Sequence, residues 1–190
     1  MKTAAPSRLT VLLVAAALAC CSVASANAAP AGWKHFADKK DGYSFDYPAD
    51  WGLAKDFYDG MPGPTTPHGV GLTSPASLKD GTNFGTGTFS IERTKDKDCT
   101  PDKFDSDVTA VHPLDADGRS YLAGHATNHD GSERYESYVF VVKGLPHCTA
   151  VRYVWQVYDM FHFTPGEAKP FDEKALLKTL DAVRASVVFK

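Results

Sequence analysis

Residues 121–158, YLAGHATNHDGSERYESYVFVVKGLPHCTAVRYVWQVY, contain three runs rich in β-branched and aromatic residues. The runs are residues 121–127, 135–142 and 148–158. Each has the length and composition of a strand, and Gly- or Pro-containing turn signals separate them. Parallel strands need longer crossovers than these turns provide, so the stretch predicts an antiparallel meander.

The C-terminal part of the chain carries a helical pattern. Asp172 is a candidate N-cap. Leu176, Leu180 and Val183 then recur at helical spacing and form one apolar stripe. Residues 186–189 predict a final short strand. One amphipathic helix packed on an antiparallel sheet places the chain in the α+β class.

Further strands are predicted before the meander. Residues 43–47 alternate strictly and place three aromatic side chains on one face. The runs at 33–36 and 87–93 are the other strand candidates in this part. Residues 60–69 predict an irregular loop, because they contain three prolines and three glycines. Residues 94–107 are polar and predict a second loop.

Two segments resemble motifs of the PsbP-like family. Residues 42–51, GYSFDYPADW, resemble its opening motif, in which a strand of alternating aromatic residues runs into a Pro-x-x-Trp turn. Residues 186–189 resemble its closing Ser-x-x-Phe strand. The order of elements is similar over nearly all of residues 33–189. The resemblance implies an antiparallel sheet with helices packed on its faces.

The same resemblance implies a class of function. The family includes the extrinsic PsbP proteins of photosystem II, DcrB-like bacterial lipoproteins, type VI secretion chaperones and a fungal Ran-binding protein. Most of its members act as accessory or adaptor surfaces and are not enzymes. We therefore expect a non-enzymatic accessory or binding protein, with an unidentified protein partner and no cofactor.

Residues 1–28 have the three parts of an export signal. Two basic residues precede an apolar run at 11–19, which is far shorter than the roughly 20 residues of a transmembrane helix. Small residues then supply A-x-A cleavage sites, the second of which ends at Ala28. Cleavage there leaves 162 residues at net charge −5. We expect residues 29–190 to form one domain, in the periplasm or secreted from a bacterial envelope.

Cys20 offers a competing processing site. The sequence Ala17-Leu18-Ala19-Cys20 loosely resembles a lipobox, in which the cysteine becomes the acylated first residue. A lipobox usually has leucine where this chain has Ala17. The A-x-A sites therefore fit better, and a lipid anchor at Cys20 is the alternative.

Cleavage after Ala28 removes Cys20 and Cys21 and leaves Cys99 and Cys148 as the two cysteines of the mature chain. An even pair in an oxidising compartment predicts one disulfide. The bridge would close a long loop, and the chain-entropy treatment gives such a loop a stabilisation of about 4 kcal/mol. Two unrelated buried thiols are the alternative.

The seven histidines raise the question of a metal site. On a strand, His125 and His129 lie roughly 13 Å apart, which is too far for both to bind one ion. A turn could bring His129 and Asp130 to one ion, with a third ligand such as His147. Surface histidines in turns are the alternative, and the sequence contains neither H-E-x-x-H nor C-x-x-C.

A second hypothesis for the function is a small exported hydrolase or metal-binding protein that uses residues 112–130. Its candidate groups would have to converge in one pocket: His112, Asp115, His125, His129 and Asp130. The chain has no G-x-S-x-G nucleophile motif. Asp115-Ala116-Asp117-Gly118 lacks the remaining ligands of a calcium loop and predicts an acidic turn. We assign no catalytic residue.

The net charge and the aromatic residues limit the classes of partner that the chain can bind. The net charge of −3 argues against a nucleic-acid binder that depends on bulk positive charge. Most aromatic residues fall on predicted strand faces and are expected in the core. Tyr158, Met160, Phe161 and Phe163 form an apolar run after the meander. We expect this run to be buried under the helix, with a docking surface as the alternative.

Overall fold

The computed structural model describes residues 30–58 and 67–190, so the predicted signal peptide with Cys20 and most of the predicted loop at 60–69 lie outside the described residues. The described residues form ten strands and one α-helix. The strands are β1 (Trp33–Asp38), β2 (Tyr43–Pro48), β3 (Gly52–Tyr58), β4 (His68–Thr73), β5 (Phe84–Thr94), β6 (Thr109–Ala116), β7 (Arg119–Asp130), β8 (Glu133–Val142), β9 (Cys148–Tyr158) and β10 (Val188–Phe189). The helix is α1 (Glu173–Ser186), and three short 3₁₀ helices span Ala76–Lys79, Pro101–Lys103 and Met160–His162.

Seven strands form one antiparallel sheet in the order β3-β4-β5-β9-β8-β7-β6. The pairing of β7 with β8 and of β8 with β9 confirms the predicted meander. β5 joins β9 in the centre, where Phe89 faces Tyr153. Together with the C-terminal helix, this sheet confirms the α+β class.

β1, β2 and β10 form a second, three-stranded sheet. The described residues therefore form two antiparallel sheets. Phe45 of β2 packs on Phe89 of β5, with ring centroids 5.7 Å apart. The two sheets thus share one core, which also takes the buried Leu176, Leu180 and Val183 of α1, as the helical spacing predicts.

The ends of α1 agree with the prediction at one side and differ at the other. Asp172 is the N-cap, and its carboxylate accepts a hydrogen bond from the Ala175 amide at 3.0 Å. The predicted strand at 186–189 begins later, because Ser186 belongs to the helix. The Ser186 hydroxyl donates to the Val183 carbonyl and accepts from the Asp46 amide, so it ties the last helical turn to β2.

Three strands have no counterpart in the sequence prediction: β3, β4 and β6. The predicted loop at 60–69 overlaps the start of β4, which includes Gly69. A Cβ at this position would lie 1.9 Å from the Ile91 carbonyl oxygen on β5. The glycine that signals a loop in the sequence is therefore what allows two strands to approach each other here.

The other face of the large sheet is covered by residues 98–108, which we call the strap. It contains the 3₁₀ helix Pro101–Lys103, within the predicted loop at 94–107. Phe104 is buried there against Val139, Val141 and Ala150. A disulfide joins Cys99 of the strap to Cys148 at the start of β9, with a Cα–Cα distance of 5.2 Å. The predicted bridge is thus present.

Both edges of the large sheet are irregular. The register of β3 on β4 shifts between Ala54 and Phe57, and that of β6 on β7 shifts between Thr109 and His112. Ala110, inside the second shift, has a φ of 53°. Such irregularities limit the pairing of an edge with a strand of another molecule.

The apolar run after β9 differs from its prediction. Phe161 is 75% exposed and Met160 is 38% exposed, so the run does not lie under the helix. The buried Asn83 joins the two ends of the segment that contains this run. Its amide nitrogen donates to the Tyr158 carbonyl at 2.5 Å, and its carbonyl accepts from the Phe171 amide at 2.8 Å. No helix in the described residues is long and apolar enough to cross a membrane.

Candidate functional site

A groove of about 680 Å³ lies where the start of α1 meets the two sheets. Its walls come from four separate parts of the chain. Trp33 of β1 and Trp51 form one side, Leu78 of the first 3₁₀ helix forms another, and Phe171 and Leu176 form the third. Three prolines add further apolar surface, namely Pro48, Pro75 and Pro170. The volume lies within the range of small-molecule and peptide side-chain pockets.

Local structure holds the groove open. The 3₁₀ helix at Ala76–Lys79 keeps Leu78 in place, and the Thr82 hydroxyl donates to the Leu78 carbonyl at 2.6 Å. Phe171 stacks on the buried Phe84 with ring centroids 4.3 Å apart, while its amide is bound by Asn83. The apolar walls are therefore fixed by packing and hydrogen bonds before any ligand arrives.

Charged groups are few in the groove and stand at its rim. Asp50 and Asp172 carry negative charge, and Lys169 carries positive charge. All three are exposed. The groove thus combines an apolar interior with a rim of net charge −1.

The histidine region forms a second, smaller site. His112 of β6 and His125 of β7 line one cavity of about 260 Å³, together with Asp181 and Arg184 of α1. Two of the five groups of the hydrolase hypothesis therefore share a cavity. Asp115, His129 and Asp130 do not line it and are exposed.

His125 belongs to a polar network that the sequence prediction missed. Its Nε2 donates to Oε2 of Glu136 at 2.7 Å. Arg134 donates to both Glu136 and Glu173, so it joins β8 to the start of α1. The Trp155 indole nitrogen also donates to Glu173, at 2.8 Å. The signal in the sequence is Glu136, a carboxylate on the same face of β8 as the core residues Phe140 and Val142.

The electrostatics of this network are those of a structural cluster. Burial opposes the charge of Arg134, but its hydrogen bonds and ion pairs with Glu173 and Glu136 outweigh that effect and raise its pKa. Burial also raises the pKa of Tyr138, and the charges of Glu136 and Glu173 add to the rise. The Tyr138 ring stacks between His125 and Trp155, with centroid distances of 4.2 and 5.4 Å.

The predicted metal ligands are not brought to one point. His125 is bound to Glu136, and His129 lies opposite Arg134 in the register. Neighbouring residues on a strand point to opposite faces, so His129 and Asp130 diverge at the end of β7. Across residues 30–58 and 67–190, no group of three or more His, Cys, Asp or Glu side chains could hold a metal ion.

The acidic turn at 115–118 has a structural role. Asp117 has a φ of 54° and Gly118 a φ of 72°, as the two central residues of a tight hairpin turn require. The Asp117 carboxylate accepts a hydrogen bond from Arg184 of α1 at 2.6 Å. The turn therefore ties the β6–β7 hairpin to the helix.

Two solved structures are similar to this chain. The solution structure of cyanobacterial PsbP (CyanoP) from Synechocystis sp. PCC 6803 has a TM-score of 0.45 at 13% identity, over 86% of this chain and 96% of that one. A crystal structure from Bacteroides thetaiotaomicron VPI-5482 has a TM-score of 0.45 at 14% identity, over 84% of this chain and 49% of that one. This chain thus spans about half the length of the second. No family model and no curated protein matches the sequence. A PsbP is among the similar structures, and membership of the family stays a prediction.

Proposed function

We propose that this protein is an exported, non-enzymatic binding protein that holds an apolar and basic segment of a partner protein in the groove at the start of α1. The observation that carries the proposal is the groove itself. It is about 680 Å³ in volume and is lined by Trp33, Trp51, Leu78 and Phe171. The cavities beside the disulfide and beside His125 are smaller, at about 540 Å³ and about 260 Å³.

The apolar lining sets the first requirement on the occupant. Proline and leucine side chains pack well on indole and phenyl rings, and extended peptides place such side chains at regular intervals. Trp33 and Phe171 are only partly buried, so their rings keep free surface for such contacts. An extended segment bearing proline or leucine fits these walls.

The rim charges set the second requirement. Asp50 and Asp172 outnumber Lys169, and the whole chain is acidic with a net charge of −3. A basic residue next to the apolar one would lie near the two carboxylates, whereas an acidic residue would be repelled. Charges at an interface rim contribute more to specificity and association rate than to affinity.

Export forms part of the proposal and rests on residues 1–28. The Cys99–Cys148 disulfide supports it, because disulfides persist in oxidising compartments. We propose cleavage after Ala28, which gives a domain of residues 29–190. The intact mass of the mature protein tests this cleavage site. A diacylglycerol adduct on Cys20 would show that the protein is lipid-anchored instead of free.

Binding is tested with an array of twelve-residue peptides that vary one apolar position and its flanking charge. Peptides bound by the mature protein are then titrated while tryptophan fluorescence is recorded. We expect peptides with leucine or proline beside lysine or arginine to bind, and their aspartate counterparts to bind at least about tenfold more weakly, a difference of about 1.4 kcal/mol.

A matched pair of variants on α1 locates the site. Ala175 and Ala182 are both exposed, but only Ala175 lines the groove. Ala175→Trp should fill the groove and abolish binding, while Ala182→Trp should bind as the wild type does. Equal binding by both variants, or an array without preference for basic and apolar peptides, would overturn the proposal.

The hydrolase hypothesis has one supporting observation, the His125–Glu136 pair beside a cavity. A carboxylate that orients a histidine is also found in hydrolytic sites. Its test is ester hydrolysis by the wild type and by His125→Ala. If the wild type hydrolyses the ester and His125→Ala does not, the protein is an enzyme and the proposed binding function is wrong.

A further inference from the structure

The strap, residues 98–108, hides an apolar patch on the second face of the large sheet. Phe104 packs on Val139 and Val141 of β8 and on Ala150 of β9, with Leu122 of β7 at the margin. At Gly124 of β7 an added Cβ would lie 2.2 Å from the Val108 side chain, so the strap touches the sheet directly. Removing the strap would expose a continuous group of aliphatic side chains.

A disulfide and side-chain hydrogen bonds hold the strap on the sheet. The disulfide from Cys99 to Cys148 holds its start. Asp105 accepts a hydrogen bond from Arg152 at 3.0 Å, and Asp107 accepts one from Asn128 at 2.6 Å. Its backbone forms local bonds such as that from the Phe104 amide to the Pro101 carbonyl. The disulfide is the only covalent attachment among these.

The disulfide lies beside a cavity whose charged lining is mainly positive. Both cysteines line a cavity of about 540 Å³, where Cys99 is partly exposed and Cys148 is 9% exposed. The same cavity is lined by Lys95, Lys97 and Lys143, with Asp96 as its acidic residue. Positive charge near a disulfide favours both the attacking thiolate and the leaving thiolate.

We propose that Cys99–Cys148 is a thiol–disulfide exchange site, that a dithiol reductant opens it, and that opening frees the strap and exposes the patch beneath. A thiolate of the reductant attacks the more exposed Cys99 sulfur, the bond to Cys148 breaks, and Cys148 leaves as a thiolate that takes up a proton. The second thiol of the reductant then displaces Cys99. Two electrons and two protons reach the protein, and the reductant becomes a disulfide.

The test uses the mature, oxidised protein with dithiothreitol in native buffer. Free thiols are alkylated and counted by mass spectrometry, and hydrogen exchange is measured by peptide before and after reduction. We expect two alkylated cysteines, the largest loss of protection within residues 98–108, and protection that is lowered but retained in β5, β8 and β9. Nile red fluorescence should rise as the patch becomes exposed.

Two results would overturn the proposal. The first is that dithiothreitol fails to reduce the bridge in the native protein. The second is that reduction abolishes protection throughout both sheets, which would make the bridge a simple stabilising link. The exchange measurement is repeated on the double variant Cys99→Ser and Cys148→Ser. If this variant does not fold, the reduced wild type alone decides the test.

A pair of lysine variants tests the role of charge. Lys143→Gln removes a positive charge from the cavity, and Lys174→Gln removes one from an exposed position on α1. At low salt the first should slow reduction about twofold to threefold, and the second should leave it unchanged. Equal rates for both variants would remove the electrostatic part of the proposal.

Discussion

Replacing Arg184 by methionine should destabilise the protein strongly, because this buried guanidinium joins three parts of the fold. Its Nε donates to the Tyr153 hydroxyl at 2.8 Å, and its terminal nitrogens donate to Asp117 at 2.6 Å and to Asp181 at 3.3 Å. The guanidinium also lies 4.8 Å from the centre of the Phe140 ring. Burial opposes its charge, but Tyr153 and Asp117 outweigh that effect and raise the pKa of Arg184.

The magnitude follows from what is left behind. Removing one partner of a buried ion pair costs about 3–5 kcal/mol when the other charge stays buried. The Asp117 side chain is 23% exposed and that of Asp181 is 45% exposed, so both regain water after the change. We therefore expect the lower end of the range, about 3 kcal/mol, which corresponds to a Tm about 6–12 °C lower for a domain of this size.

The assay is urea unfolding of the mature, oxidised protein, followed by tryptophan fluorescence and far-UV circular dichroism. Asp117→Asn is the partner variant, because asparagine tolerates the positive φ of this position. The double-mutant cycle of Arg184→Met with Asp117→Asn should give a coupling energy of about 1–2 kcal/mol. A loss below about 1 kcal/mol for Arg184→Met, or additive single changes, would refute the role given to this ion pair.

Three further changes test other parts of the fold. Asn83→Ala should cost about 2–3 kcal/mol in urea unfolding and weaken peptide binding in the groove, because it leaves the Tyr158 carbonyl and the Phe171 amide without their partner; unchanged binding would contradict its role there. Gly69→Ala should cost about 3 kcal/mol or more, because its Cβ would collide with the Ile91 carbonyl; a neutral result would show that β4 and β5 are less close. Burial raises the pKa of Tyr43 well above 10, and the negative charges of Asp38 and Asp41 add to the rise. The folded protein therefore keeps the Tyr43 proton above pH 10, where the unfolded protein loses it. Stability should fall as pH rises beyond about 10, and Tyr43→Phe should reduce that slope by about 1.4 kcal/mol per pH unit.

Local patterns were sufficient to predict the meander, the helix and the bridge. The strands β7 to β9 alternate clearly and are joined by short turns, so neighbours in sequence are neighbours in the sheet. The N-cap Asp172 and the stripe from Leu176 to Val183 are likewise local signals. The pairing of Cys99 with Cys148 followed from parity once the signal segment was set aside.

What the sequence could not reveal depends on contacts between distant segments. β6 is exposed along most of its length, so it shows no alternation, and β4 contains glycines that resemble a loop. The groove needs Trp33, Trp51, Leu78 and Phe171 to meet from four segments. Asn83 bonds to Tyr158 and to Phe171, which lie far from it in sequence, and no periodic pattern marks such a role.

The position of the disulfide bears on how fast the chain folds. In the centre of the large sheet β5 pairs with β9, and Thr94 faces Cys148 in the last residue pair. The bridge starts at Cys99, just after β5, and spans a sequence separation of 49. Closing a loop of that length costs about 4 kcal/mol of chain entropy, and such distant pairings slow folding. In the oxidised chain this cost is met before the sheet forms. The reduced chain must bring β5 and β9 together without this link. Its folding rate should therefore fall more than its unfolding rate rises.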